Sequence, residues 1–230
     1  MANSSPETLE QAVMVQNPLY EPAVAFLRDE VAVGDFVMMT PNAMRAFVEN
    51  HVRVFMQHGF SAGSQYSDLD YANVGVEFED DLFLLSRMVR TLVKFQPFTE
   101  EQLHLMRNEQ IIISTQVPMQ LTLPYIQQLQ TKKISAIGLN FIKDREGRIM
   151  TDRILTETHS SIAINIAFSN FLLPLLMSFV CSPRLRFALQ RNPQFMDGTY
   201  CFNGEICNRE IAEMFNMPYR DIVTLCWDLN

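Results

Sequence analysis

Four histidines, four cysteines and a run of carboxylates are the side chains of this 230-residue chain whose types suit acid–base, nucleophilic or metal chemistry. Their spacing assembles no evident site. His51, His58, His104 and His159 are scattered, and each reads as a surface or satisfied core residue. Cys181, Cys201, Cys207 and Cys226 contain no Cys-x-x-Cys pair and have no histidine at ligand spacing. They read as small buried hydrophobes kept reduced, with no metal expected. Glu77, Glu79, Asp80 and Asp81 lack the oxygen-ligand spacing of a Ca²⁺ loop, and suit a solvated helix start whose dipole favours negative charge. The eight glycines are isolated, so neither a Gly-x-Gly-x-x-Gly fingerprint nor a P-loop is present, and no cofactor is expected.

A formal net charge of -8 argues against a phosphate-backbone partner, so no nucleic acid is expected. MANSSPETLEQ offers no basic segment followed by an apolar one, so the expected location is cytoplasmic. The 14 methionines and 17 phenylalanines suit either a sticky partner surface or, more commonly, core filling.

The elements that would position a site alternate short apolar runs with amphipathic stretches, the pattern of βα units feeding a parallel sheet. Strands are predicted at Val24–Leu27, Val37–Met39, Val52–Gln57, Val74–Phe78, Thr91–Phe95, Ile111–Thr115 and Ile134–Phe141. Helices are predicted after Pro41, after Ser67 as N-cap, over Glu79–Met88, after Thr99 as N-cap and over Pro118–Lys132. From residue 154 to 191 the pattern is helical without strand punctuation, and a small helical tail is predicted around Asn208–Phe215. The expected fold class is α/β: three layers, a mostly parallel sheet flanked by helices, with a long C-terminal helical segment. The expected organisation is an N-terminal extension over 1–23 and one domain over 24–230.

One stretch stands apart. From Thr158 to Pro183 there is no Asp, Glu, Lys or Arg. Its length would cross about 30 Å of hydrocarbon. Yet it holds His159, Asn165, Asn170 and Pro174, costly in lipid, and has no aromatic or basic flank. A buried helix or helix pair is expected instead, with no membrane partner and two helices abutting near Ile166–Ser169.

Several segments, in order, resemble the alanine dehydrogenase and nicotinamide nucleotide transhydrogenase alpha-subunit family. VMMTPNAMRAFVENHVRVFMQHGFSAGSQYSDLDYANVGVEF is similar to its Val-x-Leu-Thr-Pro, helix, strand, glycine-loop and Tyr/Phe-Ser-Asp series. TLVKFQPFTEEQL resembles its Val-Lys-x-x-Pro segment, and EQIIIST the strand that follows. LTETHSSIAI resembles its first connecting helix, and SNFLLPLL with NPQFMDGTYCFNGEICNREIAEMFNMPYRDI its last helix and tail.

The resemblance implies that a nucleotide-binding domain would be inserted near residues 165–168, where the two connecting helices instead meet; the charge-free run is then a seam. It also implies three substrate-side groups. The family's carboxylate-gripping arginine falls on Phe36, its lysine on Phe95, with Lys94 beside it as a weaker candidate, and its histidine on Val117, next to Gln116. Phenylalanine cannot make a bidentate carboxylate contact, and valine is no acid or base. Gly63 and Ser64, with Gln65, would line the same cleft. The expectation is a pseudoenzyme acting through a homo-oligomer or a partner protein. The alternatives are a module binding a small carboxylic, amino or keto acid, and a substrate-domain subunit of an NAD-dependent complex.

Overall fold

The computed structural model describes residues 21–32 and 34–227. Of the extension expected over 1–23, only Glu21 to Ala23 fall among the described residues, and Ala23 already opens the first strand.

Among the described residues, eight strands form one sheet: β1 (Ala23–Phe26), β2 (Arg53–Met56), β3 (Glu77–Phe78), β4 (Thr91–Val93), β5 (Ile111–Ser114), β6 (Ser135–Gly138), β7 (Thr199–Phe202) and β8 (Glu205–Ile206). Their order is β3-β2-β1-β4-β5-β6-β7-β8. Neighbours from β3 through β6 run parallel, and β7 and β8 add antiparallel pairs at one edge. Continuous burial of runs such as AVAF and IIIS follows from helices covering both faces, which leaves no strand side in water.

On one face pack α1 (Pro41–Glu49), α2 (Asp68–Ala72), α6 (Met150–Glu157), α7 (Ser161–Cys181), α8 (Leu185–Arg191) and α10 (Ile222–Trp227), meeting Val24, Phe26, Ile111 and Ile113. On the other pack α3 (Leu82–Met88), α4 (Glu100–Leu105), α5 (Leu123–Thr131) and α9 (Arg209–Met214), meeting Ala25, Leu92 and Ile112. The α/β class with a mostly parallel sheet and a long C-terminal helix is therefore what the sequence leads one to expect. The N-caps at Ser67 and Thr99 are present, each closed into a capping box, by Asp70 and Gln102.

Four local expectations are corrected. Val37–Met39 is buried, but it is no strand. The segment lies over α7, whose side chains replace a ladder: Val37 N–H donates to Asn165 Oδ1 at 3.0 Å and Thr40 N–H to Ser169 Oγ at 2.9 Å. Asn165 returns a bond to the Asp35 carbonyl at 3.0 Å, and Tyr71 Oη donates to the Met39 carbonyl at 2.8 Å.

The expected strand over Val74–Phe78 is paired only at Glu77–Phe78, because Val74 and Val76 N–H groups fold back on the Tyr71 carbonyl. The single helix expected over Pro118–Lys132 divides into a 3-10 turn, Pro118–Gln120, and α5. Pro124 has no N–H to donate back to Gln120, so Thr122 caps a new helix through Tyr125 N–H at 3.2 Å.

The charge-free run forms one helix rather than two abutting near Ile166–Ser169: α7 continues through Pro174. Pro174 and Asn170 both lie on the exposed side, so the carbonyl that proline leaves without a donor faces water. By length and composition α7 could cross a membrane, yet one side of it is committed to the sheet through Phe168, Leu172, Leu175 and Phe179.

The β7–β8 hairpin and α10 are further additions. Asn203 and Gly204 carry φ of +51° and +83°, the left-handed pair of a tight hairpin turn. The four cysteines are unpaired, with Cys201, Cys207 and Cys226 buried.

Asn165 and Ser169 are expected to bear on stability more than any polar residues of α7. Asn165→Ala removes the acceptor of the buried Val37 N–H and should cost about 2 kcal/mol. Urea unfolding should show a lowered midpoint at unchanged slope, whereas Asn170→Ala, on the exposed side, should leave the midpoint in place.

Candidate functional site

In a parallel sheet, ligand crevices form beyond the carboxyl ends of strands where successive crossovers diverge. Here β1 connects to β2 on one side, while the chain returning from β3 enters β4 on the other. The loops after β1 and β4 therefore border the crevice, with those after β2 and β5 beside them.

Asp29 and Gln96 stitch this crevice. The Gln96 N–H donates to Asp29 Oδ1 at 2.8 Å, and Gln96 Nε2 donates to the Val31 carbonyl at 3.1 Å. Burial holds the Asp29 carboxyl above its usual range, partly offset by that N–H and by the nearby Lys94 charge.

Lys94 and Phe95 are consecutive at the end of β4 and diverge to opposite sides. Phe95 joins Phe36 and Phe168: ring centroids stand 4.6 Å apart for Phe36–Phe95, 5.0 Å for Phe36–Phe168 and 5.8 Å for Phe95–Phe168. Thus Phe36 and Phe95 are brought together in an aromatic cluster completed by Phe168 of α7. Edge-to-face and tilted rings at these distances are favourable beyond the area they bury.

Lys94 turns to the second layer, where its side chain is only 1% exposed. Its Nζ lies 3.4 Å from the Pro97 carbonyl and Gln102 Oε1, and 3.6 Å from the Glu30 carboxylate. These are long contacts for a buried ammonium, whose strong hydration must be replaced. Lys94 borders a cavity of about 480 Å³ that also takes in Gln116, Gln120, Thr122 and Tyr125. Gln116 is held there by Asn140, which accepts from its N–H at 2.7 Å and donates to its carbonyl at 2.6 Å. At the rim the Thr122 hydroxyl donates to the Glu100 carboxylate.

Val117, 42% exposed, borders neither this cavity nor the aromatic cluster. A second cavity, about 610 Å³, lies on the β1–β2 side among Arg28, Asp29, Phe36, His58 and Phe60. Gly63 and Ser64 shape its neighbourhood rather than its wall. Gly63 has φ +87°, and a Cβ there would stand 2.7 Å from the Gly34 carbonyl, so the two loops touch through backbone. Ser64 Oγ accepts from Tyr66 N–H at 3.1 Å.

Asp29, Glu30, Gln96 and Asn140 are site residues that sequence reasoning missed. The available signal was positional: Asp29 and Glu30 follow the first strand, at the point where the topology diverges. The acidic run is spoken for residue by residue. Glu77 pairs with Arg53 through two bonds of 2.9 and 2.8 Å, Asp80 faces His58 Nδ1 at 3.0 Å, Asp81 caps α3 at 2.8 Å, and Glu79 accepts from Asp81 N–H at 2.8 Å. Among the described residues, no group of three His, Cys, Asp or Glu side chains is arranged to hold a metal ion.

Comparison with known proteins places this geometry. The family described as alanine dehydrogenase/PNT, N-terminal domain, matches residues 27–155. Similar solved structures include an L-alanine dehydrogenase, 16% identical with a TM-score of 0.51 over 58% of this chain and 36% of that one. Others are a transhydrogenase from Sinorhizobium meliloti (12%, TM-score 0.47, 57% and 39%) and the apo form of Rhodotorula graminis D-mandelate dehydrogenase (15%, TM-score 0.36, 78% and 57%). Identities this low speak for fold alone, and only the first score supports even that. The chain spans 36% of the length of that L-alanine dehydrogenase and 39% of that of the transhydrogenase. No curated protein sequence matches. The family match covers more than half of the chain and contains β4 and the loops after β1 and β4 that border the crevice; the chain belongs to the alanine dehydrogenase/PNT family, through its N-terminal domain.

Proposed function

We propose that this chain is a non-catalytic member of its family, a pseudoenzyme that works by associating with protein, in the first instance a second copy of itself. The observation that carries the reading is the packing of Phe36, Phe95 and Phe168. A substrate carboxylate gripped there would have to face three aromatic rings, and transfer of a charge to such a surface without a partner is strongly unfavourable. The acid or base that the reaction needs has no counterpart at Val117. The seam near 165–168 belongs to the same reading. An unbroken α7 brings Phe168 into the cluster and Asn165 and Ser169 onto the loop before α1, so the helix serves this domain's own packing.

The outer side of α7 supports association. Ile162, Ile166, Asn170 and Pro174 follow one another at four-residue intervals and are all exposed. No charged side chain occurs along the helix. Two copies of a chain with net charge -8 repel over most of their surface, and this strip is where they can meet without opposing charges. A cytoplasmic setting, with neither nucleic acid nor membrane as partner, completes the proposal.

A second reading, a module that binds a small carboxylic or amino acid, has its own support in Lys94. A buried ammonium with contacts no shorter than 3.4 Å, on a cavity lined by amide and hydroxyl groups, is suited to a ligand carboxylate.

Light scattering at micromolar concentration is expected to give a multiple of the 26.5 kDa chain mass. Ile166→Glu, an exposed substitution, should lower it to that of one chain without lowering Tm; a monomeric wild-type protein would overturn the association. Mixed with NADH, pyruvate and ammonium, the chain is expected to show no oxidation of NADH above buffer, and turnover would overturn the non-catalytic reading. The second reading expects saturable calorimetric binding of pyruvate or alanine that is lost in Lys94→Met, and a flat titration with both would remove it.

A further inference from the structure

The end of the sheet opposite the crevice gathers basic side chains around one cavity. Arg90 precedes β4, Lys133 precedes β6, Arg184 and Arg186 stand at the start of α8, and Arg220 precedes α10; all five line one cavity of about 430 Å³. They represent five of the 18 lysines and arginines in a chain with net charge -8. The carboxylates on the same wall are Glu109 and Glu205, both exposed. Among the described residues, neither forms an ion pair with Lys133, Arg184, Arg186 or Arg220. Elsewhere this chain does pair its cations: Arg53, Arg148 and Arg153 each have two or more carboxylates within 4.0 Å.

Two features make this a built site rather than a loose basic patch. First, the cations come from four separate segments, which the fold brings to one concavity. Arg90 ties two of them together by donating from Nη1 to the Pro183 carbonyl at 3.0 Å, which holds the approach to α8 against the start of β4. Second, Arg186 Nε is buried and has no hydrogen-bond partner among the described residues. A guanidinium donor shielded from water and unmatched by protein is costly, and that cost falls when an anion supplies the acceptor. Phe202, Leu185 and Leu225 add apolar wall to the same cavity.

We infer that this cavity is a binding site for a phosphorylated small molecule, distinct from the crevice at the other end of the sheet. The chemistry that selects phosphate is the set of guanidinium groups of Arg184, Arg186 and Arg220, a guanidinium fork being matched to two oxygens of a tetrahedral group. Leaving Arg90 aside, four cations (Lys133, Arg184, Arg186 and Arg220) stand against two carboxylates among the described residues of the wall, a balance that calls for a ligand of charge about -2 rather than a monocarboxylate. The volume suits a small molecule and is too small for a folded partner, and the apolar wall gives a non-phosphate portion of the ligand a surface to lie on. This inference does not depend on the non-catalytic reading, because no residue of this wall borders the Lys94 or Phe36 cavities.

The test is isothermal titration of the full chain with inorganic phosphate, pyrophosphate and ATP, each at matched ionic strength set with sodium chloride. Saturable one-site binding is expected for pyrophosphate or ATP, with affinity falling as salt rises. Tighter binding of ATP than of pyrophosphate assigns an organic phosphate, and the reverse assigns the inorganic anion; either upholds the site. Arg184→Ala and Arg220→Ala replace exposed side chains, and each should weaken binding by about tenfold or more, a loss of about 1.4 kcal/mol. Lys133→Ala is the second variant should either arginine substitution lower Tm. Absence of saturable binding by all three anions would overturn the site. So would undiminished binding in the Arg184→Ala/Arg220→Ala protein, or an acidic peptide that binds more tightly than every phosphate.

Discussion

The hydrogen bonds from Asn165 and Ser169 to the backbone before α1 are the constraint on which the rest of the arrangement depends. Without them the stretch Val37–Met39 would bury backbone donors with no acceptor, since no strand lies alongside. With them, an apolar helix acquires a unique rotation and axial position on the sheet, something that hydrophobic burial alone specifies poorly because it is non-directional. Ser169 also donates back to the Asn165 carbonyl at 2.7 Å, so the two side chains are themselves coupled. Phe168 sits between them in sequence, and its contact with Phe36 and Phe95 follows from the same placement.

Much of the sheet was legible because its strands are buried on both faces, and such strands write themselves as short β-branched runs: VRVFM, IIIS, ISAIG. What misled was the same signal in another setting. Val37–Met39 is as apolar as a strand, but burial reports only that water is excluded; whether a ladder or a pair of side chains satisfies the backbone depends on a helix about 130 residues away. Two abutting helices were likewise read from Ser169 and Asn170 as interruptions of an apolar pattern. Their faces differ: Ser169 is turned inward to the loop, and Asn170 outward with Pro174, so neither breaks the helix. The hairpin at Asn203-Gly204 carried a turn signal that its helical surroundings masked.

The candidate site was legible in part for a comparable reason. Phe36 and Phe95 could be identified by order along the chain, and the structure does bring them together. Lys94 and Gln116 line one cavity, in the opposite layer from Phe95, because adjacent residues at the end of a strand face opposite sides of a sheet. Val117 stands outside both groups. Asp29, which ties the β1 loop to the β4 loop, has no sequence neighbour that marks it; its role is set by which strands become adjacent.

The two ends of the sheet therefore use charge in different ways. At the carboxyl ends the protein meets its own buried groups: Asp29 receives the Gln96 N–H, and Lys94 has Glu30, Gln102 and a carbonyl within 3.6 Å. At the other end the fold gathers arginines from segments far apart in sequence and gives them few carboxylates. Like charges held at one concavity repel, and that repulsion is tolerated in a folded protein only where solvent, counter-ions or a ligand relieves it. A buried, unmatched Nε on Arg186 limits how much of that relief water can provide. The two ends thus differ in how their cations are met: Lys94 has a carboxylate, an amide and a carbonyl of this chain around it, whereas Lys133, Arg184, Arg186 and Arg220 have no ion pair among the described residues.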